Sequence, residues 1–324
     1  MKPKVFIAQN ISKKVENYIE KYCDYEIWNS DEKIPKDILL KSIADVDGLI
    51  QFGARIDKEL LDAAPKLKVV SNVAVGYDNF DLAEMKKRNI IGTNTPYVLD
   101  NTVADLVFAL ILATSRRVVE LDKFIRDGKW NKDIDKENFG VDVYNKTLGI
   151  IGMGRIGEKI AKRGKFGFDM EVIYYNRHRN LEMEEKLDIK YSTFDELLIK
   201  SDFIVIMTPL NEETKNLIDY REFNLMKQSS IFINTSRGQT VNEDALIDAL
   251  EKKKIHGAGL DVFYKEPIDK DNPLLKMNNV VLVPHIGSAT IKTRNEMAML
   301  AAKNIVSALI GEPVPNIVKE LKLL

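Results

Sequence analysis

Cysteine is almost absent from this 324-residue chain. Cys23 stands alone, so no disulfide can form within it, and a reducing, cytoplasmic setting fits. Histidine is nearly as scarce. His178, His256 and His285 lie far apart, and with one cysteine they give no metal-ligand spacing, so no metal is expected. Long apolar runs are missing too. The most apolar stretch, Leu106 to Ala113, falls well short of the roughly 20 residues of a membrane span. The apolar part of the opening MKPKVFIAQN is too short for a signal peptide. Neither sign of charge dominates. Lys and Arg number 48 against 49 Asp and Glu, which gives no general attraction to nucleic acid or membrane. No low-complexity tract or repeat is evident. A hydrophobic content of 45% supports a sizeable core, and the length suits two domains.

What is present centres on Thr147 to Asn176. The apolar run Leu148, Ile150, Ile151 meets Gly152-Met153-Gly154-Arg155-Ile156-Gly157, a G-x-G-x-x-G. Ile156, Ile160 and Ala161 then recur at helical spacing, and Val172 to Tyr175 form a second apolar run. Strand, glycine turn, helix and strand together make a dinucleotide-binding unit. Gly152 permits the turn, Gly154 admits the pyrophosphate and Gly157 allows close packing, while the helix N-terminus offers N–H groups to the phosphates. The bland alternative is a βα turn with no ligand. The end of the second strand reads Asn176-Arg177-His178-Arg179. An NAD site places Asp or Glu here for the ribose 2′-hydroxyl. This segment has none, and Arg177 and Arg179 are guanidiniums suited to a 2′-phosphate. NADP(H) is therefore the preferred cofactor and NAD(H) the second choice, a solvated basic turn being the plain alternative.

Along the rest of the chain, strands and helices alternate. Before Pro96, strands at Lys4 to Ala8, Tyr25 to Trp28, Gly48 to Gln51, Lys68 to Asn72 and Ile90 to Thr93 are separated by helical stretches, which predicts a small parallel sheet. Asp100 and Asn101 offer caps for a long helix from Thr102 to about Arg117, and a second runs from Val119 to Gly128. Residues 131–143 read as a loop. After the glycine unit come further strands at Phe203 to Met207, Ser230 to Asn234, Gly257 to Asp261 and Val280 to Val283, then a helix from about Lys292 to Leu309. The fold class is α/β.

Ligands in such sheets bind beyond the carboxyl ends of the strands. The polar residues there are Thr208, Ser236 and Arg237, Asp261 with Glu266 close behind, and His285; Val75 and Gly76 end a strand of the first sheet. Arginine grips a carboxylate, histidine moves a proton near neutral pH, and a carboxylate orients an imidazole and favours its protonated form. Thr235 and Ser236 lack the G-x-S-x-G setting of a hydrolase nucleophile. A structural role remains the alternative for each: a satisfied histidine, an arginine paired with a structural carboxylate, a solvated Lys265-Glu266-Pro267 loop.

These segments carry a resemblance. NVAVGYDNFDL (72–82), DNTVADLVFALIL (100–112), KTLGIIGMGRIGEKIA (146–161), FINTSRGQTVNEDAL (232–246), GAGLDVFYKEP (257–267) and VPHIGSAT (283–290) together resemble the D-isomer-specific 2-hydroxyacid dehydrogenases over nearly the whole chain. Within that family the chain looks most like the glyoxylate/hydroxypyruvate and 2-ketogluconate reductases. The resemblance implies a Rossmann-type doubly wound domain over 98–286. A flavodoxin-like substrate domain would be built from 1–97 and 287–324. It implies reduction of a small 2-oxo acid to the D-2-hydroxy acid by hydride transfer, with Arg237, Glu266 and His285 catalytic and His285 the proton donor. Val75, Gly76, Arg237, His285 and Arg294 would contact substrate. Thr102, Gly152, Gly154, Arg155, Ile156, Gly157, Asn176, Arg177, Arg179, Thr208, Pro209, Ser236 and Asp261 would contact the cofactor, Asp261 through the nicotinamide amide. A homodimer joined through the cofactor domain is implied, with no nucleic-acid or membrane partner. A formate- or phosphite-type dehydrogenase and a dinucleotide-sensing interaction protein use the same scaffold. Residues 131–139 are mostly charged where such reductases carry aromatic or proline-rich residues, a departure that bears on substrate choice.

Overall fold

Short β-branched and aromatic runs alternate with capped helices from the first residues of the chain. The computed structural model describes residues 1–30, 32–131 and 133–322, so Lys132 of the charged 131–139 stretch lies outside the described residues. The first elements are β1 (Lys4–Ile7), α1 (Lys13–Glu20), β2 (Asp24–Ile27), α2 (Lys36–Ser42), β3 (Gly48–Gln51), α3 (Lys58–Ala63), β4 (Val69–Asn72), α4 (Leu82–Lys87) and β5 (Ile91–Thr93). The strands pair in parallel in the order β2-β1-β3-β4-β5, the flavodoxin-like arrangement. Asp57 and Asp81 cap α3 and α4 by accepting from the Leu60 and Glu84 N–H groups.

Next come α5 (Asp100–Ser115), α6 (Val118–Arg126), β6 (Thr147–Ile151), α7 (Arg155–Gly167), β7 (Glu171–Tyr175), α8 (Leu181–Leu187), β8 (Lys190–Tyr191), α9 (Phe194–Lys200), β9 (Phe203–Ile206), α10 (Tyr220–Leu225), β10 (Ile231–Asn234), α11 (Glu243–Glu251), β11 (Gly257–Leu260) and β12 (Val280–Leu282). All seven strands run parallel, in the order β12-β11-β10-β9-β6-β7-β8. The order reverses between β6 and β9, the doubly wound switch point where ligands bind. Two apolar clusters cover the two faces: Val107, Phe108 and Ile111 of α5 with Ile160 of α7 on one, Leu197, Phe223 and Leu246 on the other. Burial of each such side chain contributes about 1.5–3 kcal/mol.

The last helix, α12 (Ile291–Ile310), packs on β3 and β4. Gly48 lies so close that a Cβ there would stand 2.8 Å from Ile305 Cδ1. The buried Ser71 hydroxyl donates to the Ala301 carbonyl (2.9 Å) and Asn304 Nδ2 to the Asn94 carbonyl (2.9 Å). The chain thus forms two compact units, residues 1–99 with 289–324, and residues 100–288.

Two expectations need correction, and one strand, β8, was not foreseen. Asp100 and Asn101 are helical residues of α5, not caps before it. A carboxylate in the first turn suits the positive helix end, and Asp100 Oδ2 faces Arg155 Nε at 3.4 Å. The helix stops at Ser115, because Arg117 adopts a left-handed φ of +55°. β8 has only two residues, too few to show a period.

Candidate active site

The glycine turn joins β6 to α7. Gly152 has φ +106°, and a Cβ on it would meet the Met207 carbonyl at 2.7 Å. A Cβ on Gly157 would lie 2.4 Å from the Gly152 oxygen, so helix and turn could not approach. Gly154 is different. Its would-be Cβ meets nothing within 4 Å, leaving open space at the N-cap of a 13-residue helix. Asn176, at the end of β7, braces the turn from the side: its Oδ1 accepts from the Met153 N–H (2.7 Å) and its Nδ2 donates to the Met153 carbonyl (3.3 Å). Beyond β9, Thr208 Oγ1 is buried without a hydrogen-bond partner among the described residues. The adjoining Pro209 carbonyl accepts from the Thr214 hydroxyl (2.6 Å). Ile156 packs half-buried on the core beneath the turn, and Thr102 and Arg155 stand on α5 and α7.

His285, Glu266 and Asp261 come together at the ends of β11 and β12. His285 Nδ1 and Glu266 Oε2 are 2.7 Å apart. Glu266 Oε1 accepts from the Phe263 N–H (3.1 Å), which fixes the carboxylate. Burial pushes the Glu266 carboxyl up, but the His285 hydrogen bond and charge, the Phe263 N–H and Arg237 outweigh it and hold the group below its ordinary range. Glu266 is thus the ionised partner of the imidazole. His285 itself has φ +52°, a conformation costly for a residue with a side chain. Asp261 holds that turn: its oxygens accept from the Ile286 N–H (2.6 Å) and the Gly287 N–H (2.9 Å). Burial foremost pushes its carboxyl up to about 6, against those two donors and the His285 charge. Arg237 follows β10, near enough to Glu266 to act on its charge, and its Nη1 donates to the Ser236 carbonyl (2.9 Å). Ser236 is buried with its hydroxyl on Asn234.

The two guanidiniums offered for a 2′-phosphate are both engaged. Arg177 pairs with Glu213 (2.5 Å), and Arg179 forks onto Glu184 (2.8 and 2.6 Å) while lying over the Tyr191 ring. The segment Asn176 to Arg179 has no carboxylate of its own, but Glu213 reaches this corner from the segment after β9, 36 residues away. His178 lies in the turn after β7, and His256 sits at the opposite, amino-terminal end of β11.

In the first unit, Val75 and Gly76 have their carbonyls tied down, by Asn94 Nδ2 (2.8 Å) and Asn72 Nδ2 (2.7 Å) respectively. Their N–H groups donate to no acceptor within that unit among the described residues. Asn72 is set in turn by Gln51 Nε2 at 2.7 Å, a buried pair that sequence reasoning missed. Arg294 stacks over Phe52 at 4.4 Å.

A glycine turn at the switch point of a seven-stranded parallel sheet, with an arginine and a carboxylate-held histidine, defines a dinucleotide-dependent oxidoreductase. The NAD binding domain of D-isomer specific 2-hydroxyacid dehydrogenases matches residues 108–287. A glyoxylate reductase of Pyrococcus horikoshii is 48% identical, over 98% of this chain and 96% of that protein. A probable 2-ketogluconate reductase of Dictyostelium discoideum is 46% identical, over 96% and 92%. The structure of an NADPH-dependent glyoxylate/hydroxypyruvate reductase from Sinorhizobium meliloti, in complex with NADP and malonate, superposes with a TM-score of 0.86 at 29% identity, covering 99% of this chain and 98% of that one. The chain belongs to the D-isomer-specific 2-hydroxyacid dehydrogenases. The family's nicotinamide dinucleotide fits the residues present. Open space over Gly154 lies at a helix N-terminus, and the orphaned Thr208 hydroxyl offers a polar contact.

Proposed function

We propose that the chain reduces a small 2-oxo acid (glyoxylate, hydroxypyruvate or 2-ketogluconate) to the D-2-hydroxy acid, with NADPH preferred over NADH. The observation that carries this reading is the His285–Glu266 pair at 2.7 Å with Arg237 close by. The relatives' names support the substrate class. The bound reduced dinucleotide supplies the hydride to C2 of the substrate. Arg237 holds the substrate carboxylate. His285 gives its proton to the carbonyl oxygen as the C2–H bond forms, and Glu266 keeps the imidazole oriented and balances its charge. Asp261 holds the turn that carries His285 and offers its remaining lone pairs to the nicotinamide amide. The first unit has its own donors for a carboxylate: the Val75 and Gly76 N–H groups and Arg294.

Thr102, Gly152, Gly154, Arg155, Ile156, Gly157, Asn176, Thr208, Pro209 and Ser236 line the dinucleotide site in this reading. Arg177 and Arg179 supply the preference for a 2′-phosphate. The exposed Arg177–Glu213 ion pair is worth little, so Arg177 can exchange Glu213 for phosphate. We further propose a cytoplasmic homodimer joined through the cofactor unit. The formate- or phosphite-type and sensing readings gain no support from the relatives.

The test is NADPH and NADH oxidation, side by side, with glyoxylate, hydroxypyruvate, 2-ketogluconate and pyruvate. Turnover on one of the first three, faster with NADPH, is expected. NADH preference would remove the 2′-phosphate argument, and no turnover on any acid would remove the reading.

A further inference from the structure

The backbone on both sides of Arg237 is held by one buried side chain. Asn234, the last residue of β10, is 2% exposed. Its Oδ1 accepts from the Ser236 N–H (3.0 Å) and the Ser236 hydroxyl (2.9 Å). Its Nδ2 donates to the Arg237 carbonyl (3.1 Å). That carbonyl also accepts from the hydroxyl (2.7 Å) and N–H (3.2 Å) of Thr240, itself fully buried. One amide therefore grips the N–H before Arg237 and the carbonyl after its Cα. The next residue leaves no slack, since a Cβ on Gly238 would fall 1.9 Å from the Phe263 carbonyl. Behind the amide, the Asn234 carbonyl accepts from the Asp261 N–H (2.9 Å), which ties the turn to the neighbouring strand.

Only an amide does this. It accepts at one end and donates at the other. The apolar side chains that fill the rest of β10 would leave the Ser236 N–H without a buried partner, and an aspartate would face the Arg237 carbonyl with a second acceptor. We propose that Asn234 is a positioning residue for the reaction: it aims the Arg237 guanidinium at the substrate carboxylate. The inference rests on the role given to Arg237 above.

A double-mutant cycle with Arg237→Ala tests it, read as kcat/KM for the best 2-oxo acid. Asn234→Ala should lower kcat/KM roughly tenfold, through both a raised KM and a lowered kcat, because a displaced guanidinium binds and orients less well. In the Arg237→Ala background the same change should do almost nothing. Asn234→Ser, which keeps a hydroxyl acceptor and loses the reach of the amide donor, should lie between wild type and Asn234→Ala. It replaces the alanine variant in the cycle if that variant does not fold. If Arg237→Ala lowers kcat/KM while Asn234→Ala stays within twofold of wild type, or if the two losses multiply, Asn234 does not act through Arg237. If Arg237→Ala itself changes nothing, the carboxylate-binding reading falls and takes this inference with it.

Discussion

His285 is the residue on which the proposed chemistry turns, and its neighbours make distinct predictions. His285→Ala should cut turnover by roughly 10²-fold or more and leave dinucleotide affinity unchanged, since the proton donor is lost and the glycine turn is untouched. Stopped-flow turnover with a fluorescence titration checks both; near-normal turnover would take the acid role from His285. Asp261 and Glu266 have opposite pH signatures. An aspartate titrates near about 3.9 in the unfolded chain, whereas Asp261 is pushed up to about 6. Its contribution to stability is therefore full below the unfolded value and lost as pH rises through about 6. Glu266, held below its ordinary range, contributes above that range and loses its contribution as pH falls below it through the lowered folded value. The urea midpoint of the wild type should accordingly rise relative to Asp261→Asn as pH drops from neutral toward about 4. A difference constant with pH would show that Asp261 takes up no proton on folding. The sequence displays Glu266 and His285 as bare residue types, 19 positions apart. It does not display that they touch, because contact depends on how the ends of β11 and β12 are placed.

At the scale of elements, the glycine turn and the end of β9 make the proposed cofactor site. Gly152→Ala places a side chain at φ +106° and against the Met207 carbonyl. Dinucleotide affinity should drop at least about tenfold, because the turn must open to admit the methyl group. Thr208→Val separates binding from folding. Its Oγ1 is already buried without a partner among the described residues, so its removal should leave the melting temperature of the free protein unchanged or raised. The same change should weaken the dinucleotide several-fold. A lower melting temperature with unchanged affinity would make the hydroxyl structural. The glycine spacing and the strands around it are legible in the sequence, because each rests on a few consecutive residues. Asn176 was legible only as a strand-end polar residue. Its bracing of Met153, 23 residues away, comes from the parallel pairing of β6 with β7.

For the whole molecule, α6 is the element that bears on assembly. Val118, Val119 and Ile125 are exposed on it, and none of its residues is buried. Apolar side chains exposed on one helix suit an interface, and the proposed homodimer would cover them. Sedimentation equilibrium should give twice the mass of one chain, and Val119→Glu with Ile125→Glu should shift it to the monomer. A wild-type monomer would end the dimer proposal. Of the molecule as a whole, the sequence by itself determined the two parallel sheets, a nicotinamide dinucleotide as cofactor and the family, because apolar runs, glycine turns and multi-residue motifs are local patterns. Tertiary structure decided the pairings: Glu266 with His285, Glu213 with Arg177, Asn234 with the two sides of Arg237. The physical reason is that strand order and close packing bring those groups within hydrogen-bond reach, and neither is written in the spacing of residues along the chain.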